Sequence, residues 1–375
     1  MPLRRLCLAL LFSGATFVAS LTASDYYVFF GTHRSGPGLG FSLGHFDSDT
    51  GALTTPKFLI EAREPAFFVI AADGRHLYTC NSGDPGAVSA YAIDPPTGQL
   101  ALLNQVPSGG RDPSYICLDH TGRFALVANY EAGNIAVIAL TPDGRLGERT
   151  AFVQHSGHSV NPKRQAHAYA HSIIVDPTNR FVLTADLGLD RLFVYRFDAA
   201  TGALAANDPP YATVPPGSGP RHVTFHPNGR WVYLISEMGC TVTGFNWDSA
   251  TGSLAEFQSI TTLPADFTGT NTCAEILVHP NGKFLYASNR GHDSLAVFAI
   301  DPANGHLTPI EYAPSRGHWP RNFTFDPTGR WIIATNHDSD NAVVFRVDAA
   351  TGRLSPAGDP VTVPFPFCER LLPVP

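Results

Sequence analysis

The chain has 375 residues, 44% of them apolar, enough to bury a large core. Its 25 Lys and Arg against 32 Asp and Glu give a formal net charge of −7, which excludes the broad basic footprint that nucleic acid requires. A small anionic ligand is not excluded, since it needs only a local cluster of arginines.

In chain order, residues 1–23 read as a secretory signal peptide. Arg4 and Arg5 form a basic start, Leu6 to Val18 is apolar, and Ser20 or Ala23 offers a cleavage point. The apolar run is too short and wrongly flanked for a membrane span, so an exported protein, periplasmic or extracellular, is expected. Residues 24–375 show no linker and read as one domain. Beyond the leader lie five cysteines, at 80, 117, 240, 273 and 368; an odd number leaves at least one unpaired within the chain. Cys117 and Cys368 fall in apolar strand patterns and read as buried, inert thiols. No paired Cys or His spacing suggests a metal, and nothing suggests NAD or haem, so no cofactor is expected. The sequence carries no signal of oligomeric state.

From Tyr26 onward the chain repeats itself. The segment from Gly217 to Leu254 holds a Gly/Pro-rich loop, a short apolar strand, a turn at Asn228-Gly229 and a second strand. A polar loop at Glu237, a third strand ending at Trp247 and a Thr251-Gly252 turn into a fourth strand follow. A Gly-x-Leu marker gives the period, with leucines at 53, 100, 146, 204, 254, 307 and 354. Seven markers about 50 residues apart predict an all-β, seven-bladed propeller of four-stranded antiparallel blades. A sandwich, the competing all-β fold, has no reason for seven like units.

The turn joining first and second strands recurs only six times, from Asp73-Gly74-Arg75 to Thr328-Gly329-Arg330. The N-terminal blade therefore lacks its first strand, while Pro364 to Cys368 is surplus after the seventh blade. The C-terminal strand is expected to complete the first blade and close the ring, because an open ring leaves two unpaired edges. The longest departure from the period lies between Val153 and Ala170, a polar, histidine-rich insertion expected on the functional face.

Propeller topology sorts the loops. The turns carrying Arg75, Arg123, Arg180, Arg230 and Arg330 fall on one face and read as a solvated or packing ring. The opposite face collects Arg111, His171, Arg221, His222 and Arg321 from the starts of first strands. To these the loops after second strands add Asn129, Tyr130, Asp186, Glu237, Asn289, Arg290, Asn336 and His337. The insertion supplies Arg164, Gln165 and His167. Several arginines around a carboxylate and one or two imidazoles suit an anionic small molecule or a developing oxyanion.

At these residues the chain resembles the lactonase family of seven-bladed propellers, which includes bacterial 6-phosphogluconolactonase and the fungal carboxy-cis,cis-muconate cyclase. The resemblance spans residues 25–370. It rests on Arg164-Gln165, the runs Asp186 to Asp190 and Gly217 to His222, the Glu237 loop, Tyr286 to Gly291, Trp319-Pro320-Arg321 and Thr335-Asn336. It implies a metal-free site with Glu237, His171, Arg221 and Arg290 as catalytic residues. Arg164, Gln165, His167, Tyr169, His222, Asn289 and Arg321 are expected to bind substrate. The chain departs from the family pattern at Tyr169, which replaces the first histidine of a His-Ala-His; an extra histidine, His167, could substitute from a shifted loop.

The chemistry implied is water attack on the ring carbonyl of a lactone. Glu237 or His171 would activate the water, with the other relaying a proton to the ring oxygen, and Arg221 and Arg290 would face the oxyanion. Arg321 and Arg164 would hold a substrate carboxylate or phosphate. No serine elbow offers an acyl-enzyme route. An exported member would meet unphosphorylated sugar lactones or other external lactones. Lactone formation of the muconate-cyclase type and a non-catalytic ligand- or protein-binding propeller remain the competing functions.

Overall fold

The computed structural model describes residues 25–375, so the expected leader at 1–23 lies outside the described residues. The chain forms seven antiparallel sheets, six with four strands in sequence order from the first to the fourth. In the N-terminal blade the order is Pro366–Pro373, Asp25–Thr32, Gly40–Asp47, and an outer strand broken into Ala52–Leu53 and Lys57–Glu61. Ring closure is therefore as expected, with a longer closing strand. Its register runs from Tyr26 opposite Pro373 to Thr32 opposite Pro366.

Burial follows position within a blade. A second strand such as Phe124–Asn129 is buried at every residue, because neighbouring blades cover both of its faces. An outer strand such as Leu146–Gln154 is mostly exposed. The core lies between blades rather than within them. Phe181 and Leu183 of the fourth blade pack with Val232, Leu234 and Trp247 of the fifth. Each marker leucine begins or nearly begins an outer strand, as the spacing requires.

The repeated arginines do pack. Arg123 and Arg180 donate to the carbonyls of Ala199 and Ser249, which lie in turns of the next blade. Their guanidinium groups sit 5.7 Å from the ring centroids of Phe124 and Phe181.

One irregularity recurs in every blade. Near its start, each first strand carries one residue more than the second strand opposite it. The extra residue is Ala66, Ser114, His171 and Arg221 in blades two to five. In the sixth blade it falls in the pair Ala274 and Glu275, in the seventh it is Arg321, and in the closing strand Phe367. A bulge bends the strand and re-aims a side chain that regular alternation would send elsewhere. The seven bulges stand at equivalent positions near one end of the central channel, and five of their side chains line it.

Candidate active site

That end of the channel opens into a cavity of about 310 Å³, a volume suited to a small ligand. The bulge residues Ala66, Ser114, His171, Arg321 and Phe367 line it. Tyr130, Glu237 and Arg290 come from the ends of second strands and the loops after them, and Arg164 from the insertion. Antiparallel pairing puts first-strand starts and second-strand ends at the same channel mouth, and the bulges re-aim the strand-start side chains there.

Glu237 is the hub. Its carboxylate receives Arg164 Nη2 on Oε1 at 2.5 Å, and Arg221 Nε and Arg290 Nη2 on Oε2, each at 3.0 Å. His171 Nε2 stands 3.9 Å from the same Oε2, outside hydrogen-bond range. Glu237 is only 5% exposed. Burial alone would raise its pKa, but Arg290, Arg221 and Arg164 together hold it well below the usual carboxylate range. A carboxylate so surrounded is a poor proton acceptor and a strong fixed negative charge.

His171 has the complementary character. Burial first, then Arg221 and His222, depress its pKa well below the ordinary imidazole value, with only Glu237 opposing. The ring is therefore neutral at pH 7 and able to accept a proton. Its Nδ1 is buried with no hydrogen-bond partner, and the ring meets Tyr130 edge-on at 5.2 Å.

Arg221 occupies a different place from the one the sequence suggests. It is 2% exposed and lies behind Glu237 instead of lining the cavity. Its Nε serves Glu237, and its Nη1 donates to Ala274 O at 2.6 Å and reaches His222 Nε2 at 3.2 Å. Arg290, which does line the cavity, also donates to Cys273 O at 2.5 Å, and its buried Nε has no partner. Arg164 bridges Glu237 and the Tyr130 hydroxyl, 3.3 Å away.

Arg321 stands apart from this cluster. Its Cζ lies 3.6 Å from the Phe367 ring centroid, and its buried Nε has no hydrogen-bond partner. The His33 ring stacks on Phe367 at 4.4 Å; burial first, then Arg321, lowers its pKa to about 4, leaving it neutral. Asp112 and Trp319 complete this side of the wall.

Five of the residues expected to bind substrate do not line the cavity. Gln165 is buried and braces the insertion, with its amide nitrogen on Leu187 O at 2.9 Å and its amide oxygen accepting from Asn161 N. Asn289 ties its loop through Thr262 O and Ser294. Asn129 and Asn336 make the same bracket in their own blades, a repeated structural duty that explains all three. Tyr169 packs against Tyr130 at 4.9 Å, and His167 stacks on Tyr169 at 4.1 Å. His167 faces a separate cleft with Arg111 and Glu131, away from Glu237. His222 is buried beneath the floor.

Sequence reasoning missed His33, Ser114, Trp319 and Phe367. Ser114 and Phe367 follow a proline at a first-strand start, as Arg221 and Arg321 do, and that equivalence would have found them. His33 and Trp319 carry no such signal. The five cysteines among the described residues are free thiols, Cys368 buried and Cys117 partly so. Among the described residues, no group of three or more His, Cys, Asp or Glu side chains could hold a metal ion. No helix among them is long and apolar enough to cross a membrane.

Residues 27–370 match the family model described as "Lactonase, 7-bladed beta-propeller". The chain is 32% identical to the 6-phosphogluconolactonase of Bacillus subtilis (strain 168) over 350 residues, which is 93% of this chain and 99% of that protein. The solved structure of the Pseudomonas aeruginosa periplasmic gluconolactonase superposes with a TM-score of 0.88 at 32% identity, covering 94% of this chain and 100% of the other. A putative 6-phosphogluconolactonase from Bacteroides fragilis gives 0.86 at 32% identity, covering 94% and 99%.

Proposed function

The chain belongs to the lactonase family of seven-bladed β-propellers, and on that footing we propose that it hydrolyses a sugar-derived lactone to the open-chain acid without a metal. The observation that carries this reading is the neutral His171 imidazole held 3.9 Å from a Glu237 carboxylate that three arginines keep ionised.

In this mechanism His171 takes the proton of the attacking water. The imidazolium that forms faces the Glu237 carboxylate, whose charge stabilises it without accepting the proton. Arg290 and Arg164 reach the cavity and supply donors to the carbonyl oxygen as negative charge develops on it. The imidazolium then returns its proton to the ring oxygen as the ester bond breaks. Arg221 acts from behind, fixing the charge and orientation of Glu237. Tyr130 steadies Arg164.

Arg321 is the group suited to a carboxylate or phosphate on the substrate, since its Nε has no partner in the protein. The basic and apolar leader favours export, and the similar Pseudomonas aeruginosa protein is a periplasmic gluconolactonase. An exported enzyme would act on an external aldonolactone or its carboxylated relatives. A panel of 6-phosphoglucono-, glucono-, galactono- and arabinono-lactones, assayed by acid release above the spontaneous rate, tests the proposal. Saturable opening of at least one supports it; no acceleration of any, with sugar binding retained, favours a non-catalytic propeller.

A further inference from the structure

Beneath the cavity floor lies a polar cluster with no part in the chemistry above. His222 is 3% exposed and Glu275 4%, and both project into the channel from bulged strand starts. His222 Nδ1 lies 2.9 Å from Glu275 Oε1, and His222 Nε2 lies 3.2 Å from Arg221 Nη1. Neither ring nitrogen is left for a ligand.

A guanidinium has donors and no acceptor, so the nitrogen facing Arg221 must be unprotonated. The proton then sits on Nδ1, where the Glu275 carboxylate accepts it. Both ends of the ring thus demand the same tautomer. Ring orientation is held by edge contacts with Tyr115, His171 and Phe67, at centroid distances of 5.0, 5.2 and 5.8 Å. Glu275 is anchored in turn: Ile276 N donates to Oε1 at 3.0 Å, and the Asn322 amide donates to Oε2. Asn322 Oδ1 accepts from Arg370 Nη1 at 3.1 Å.

We propose that Glu275 and His222 form a positioning pair: Glu275 keeps the proton on His222 Nδ1, and the bare Nε2 holds Arg221 so that its Nε–H stays on Glu237. This rests on the reading of Glu237 and His171 as the hydrolytic centre. The pair acts through Arg221 and does not touch substrate. Burial, opposed in part by Glu275, lowers the His222 pKa to about 4, consistent with a ring that stays singly protonated at working pH. The titratable and charged groups facing it are Glu275, Arg221, Arg321, His171 and Tyr115.

The test combines kinetics with nitrogen-15 NMR of labelled histidine. In wild-type protein, the His222 signals, assigned by their loss in His222→Gln, should show a protonated Nδ1 and a bare Nε2 from pH 6 to 8. A protonated Nε2 would overturn the proposal whether or not any lactone is turned over. His222→Phe keeps the ring but removes the acceptor, and should lower kcat about 10-fold or more while moving KM little. His222→Gln can place an amide oxygen where Nε2 stood, and should restore most of that loss. Folded His222→Phe with wild-type kcat would overturn the proposal. If the tautomer is as stated but wild-type protein opens no lactone, the hydrolytic reading fails and the holding of Arg221 stands.

Discussion

At the scale of residues, the site divides labour between two groups that the sequence could not rank. Three arginines occupy the Glu237 oxygens and hold the carboxylate ionised, whereas the neutral His171 ring keeps Nδ1 without a partner. Because the His171 pKa lies well below 6.5, kcat/KM should stay level from about pH 8 to below pH 6.5 and fall only in more acid solution. An acid limb with its midpoint near pH 6.5 would point to an unshifted imidazole and contradict this assignment. Arg221→Lys keeps the charge behind Glu237 but loses the planar fork that serves Glu237, Ala274 and His222 together. Its kcat/KM should drop although net charge is unchanged; wild-type kinetics would reduce Arg221 to a general counter-charge. That Arg221 and Glu237 meet was legible in their positions, one at a first-strand start and one after the adjacent second strand. That Arg221 sits behind the carboxylate was not, because His171 and Arg321 occupy the same bulge position and line the cavity, and the repeat does not tell the three apart.

At the scale of elements, the closing strand Pro366–Pro373 does two jobs. It supplies the ladder that the N-terminal blade lacks, and its bulge residue Phe367 forms the surface under Arg321. Phe367, Cys368 and Leu372 are all buried. Removing residues 364–375 should therefore cost on the order of 5 kcal/mol or more, read by urea or thermal unfolding. Equal stability of the truncated and complete chains would refute closure by this strand. Glu369 offers a finer probe. Its carboxyl is wholly buried, Oε2 accepts from Thr335 at 2.7 Å, and Oε1 has no partner. Burial raises its pKa from 4.5 to about 8, so its contribution to stability is greatest below pH 4.5 and is lost as pH rises toward 8. Glu369→Gln should gain stability relative to wild type as pH climbs through that window. A difference that does not change with pH would show that Glu369 is not held protonated. The surplus strand was legible as a segment without a partner; its full extent was not, since Arg370 and Glu369 interrupt the apolar pattern.

At the scale of the whole molecule, the repeat was legible because every blade must bury its middle strands and turn at the same points. Glycine and marker leucine recur for that reason, and the blade count follows. The candidate site was legible in part for the same reason. Topology gathers the starts of first strands and the ends of second strands at one channel mouth, which brings His171, Glu237, Arg290 and Arg321 together. The same equivalence misled at Asn289, where a loop bracket repeated from blade to blade looks from sequence like a ligand-facing polar residue.

In the proposed mechanism the arginine-clamped Glu237 and neutral His171 open a lactone by side-chain chemistry. The most direct measurement is the rate of acid release from the preferred lactone, corrected for spontaneous hydrolysis, by wild-type protein and by folded Glu237→Gln, each after exhaustive chelation. Wild type should turn over saturably, unaffected by chelation, and the variant should show a kcat lower by about 10²–10⁴-fold, because the charge that steadies the imidazolium is gone. Near-wild-type turnover by Glu237→Gln, or activity lost on chelation and restored by one divalent ion, would contradict it.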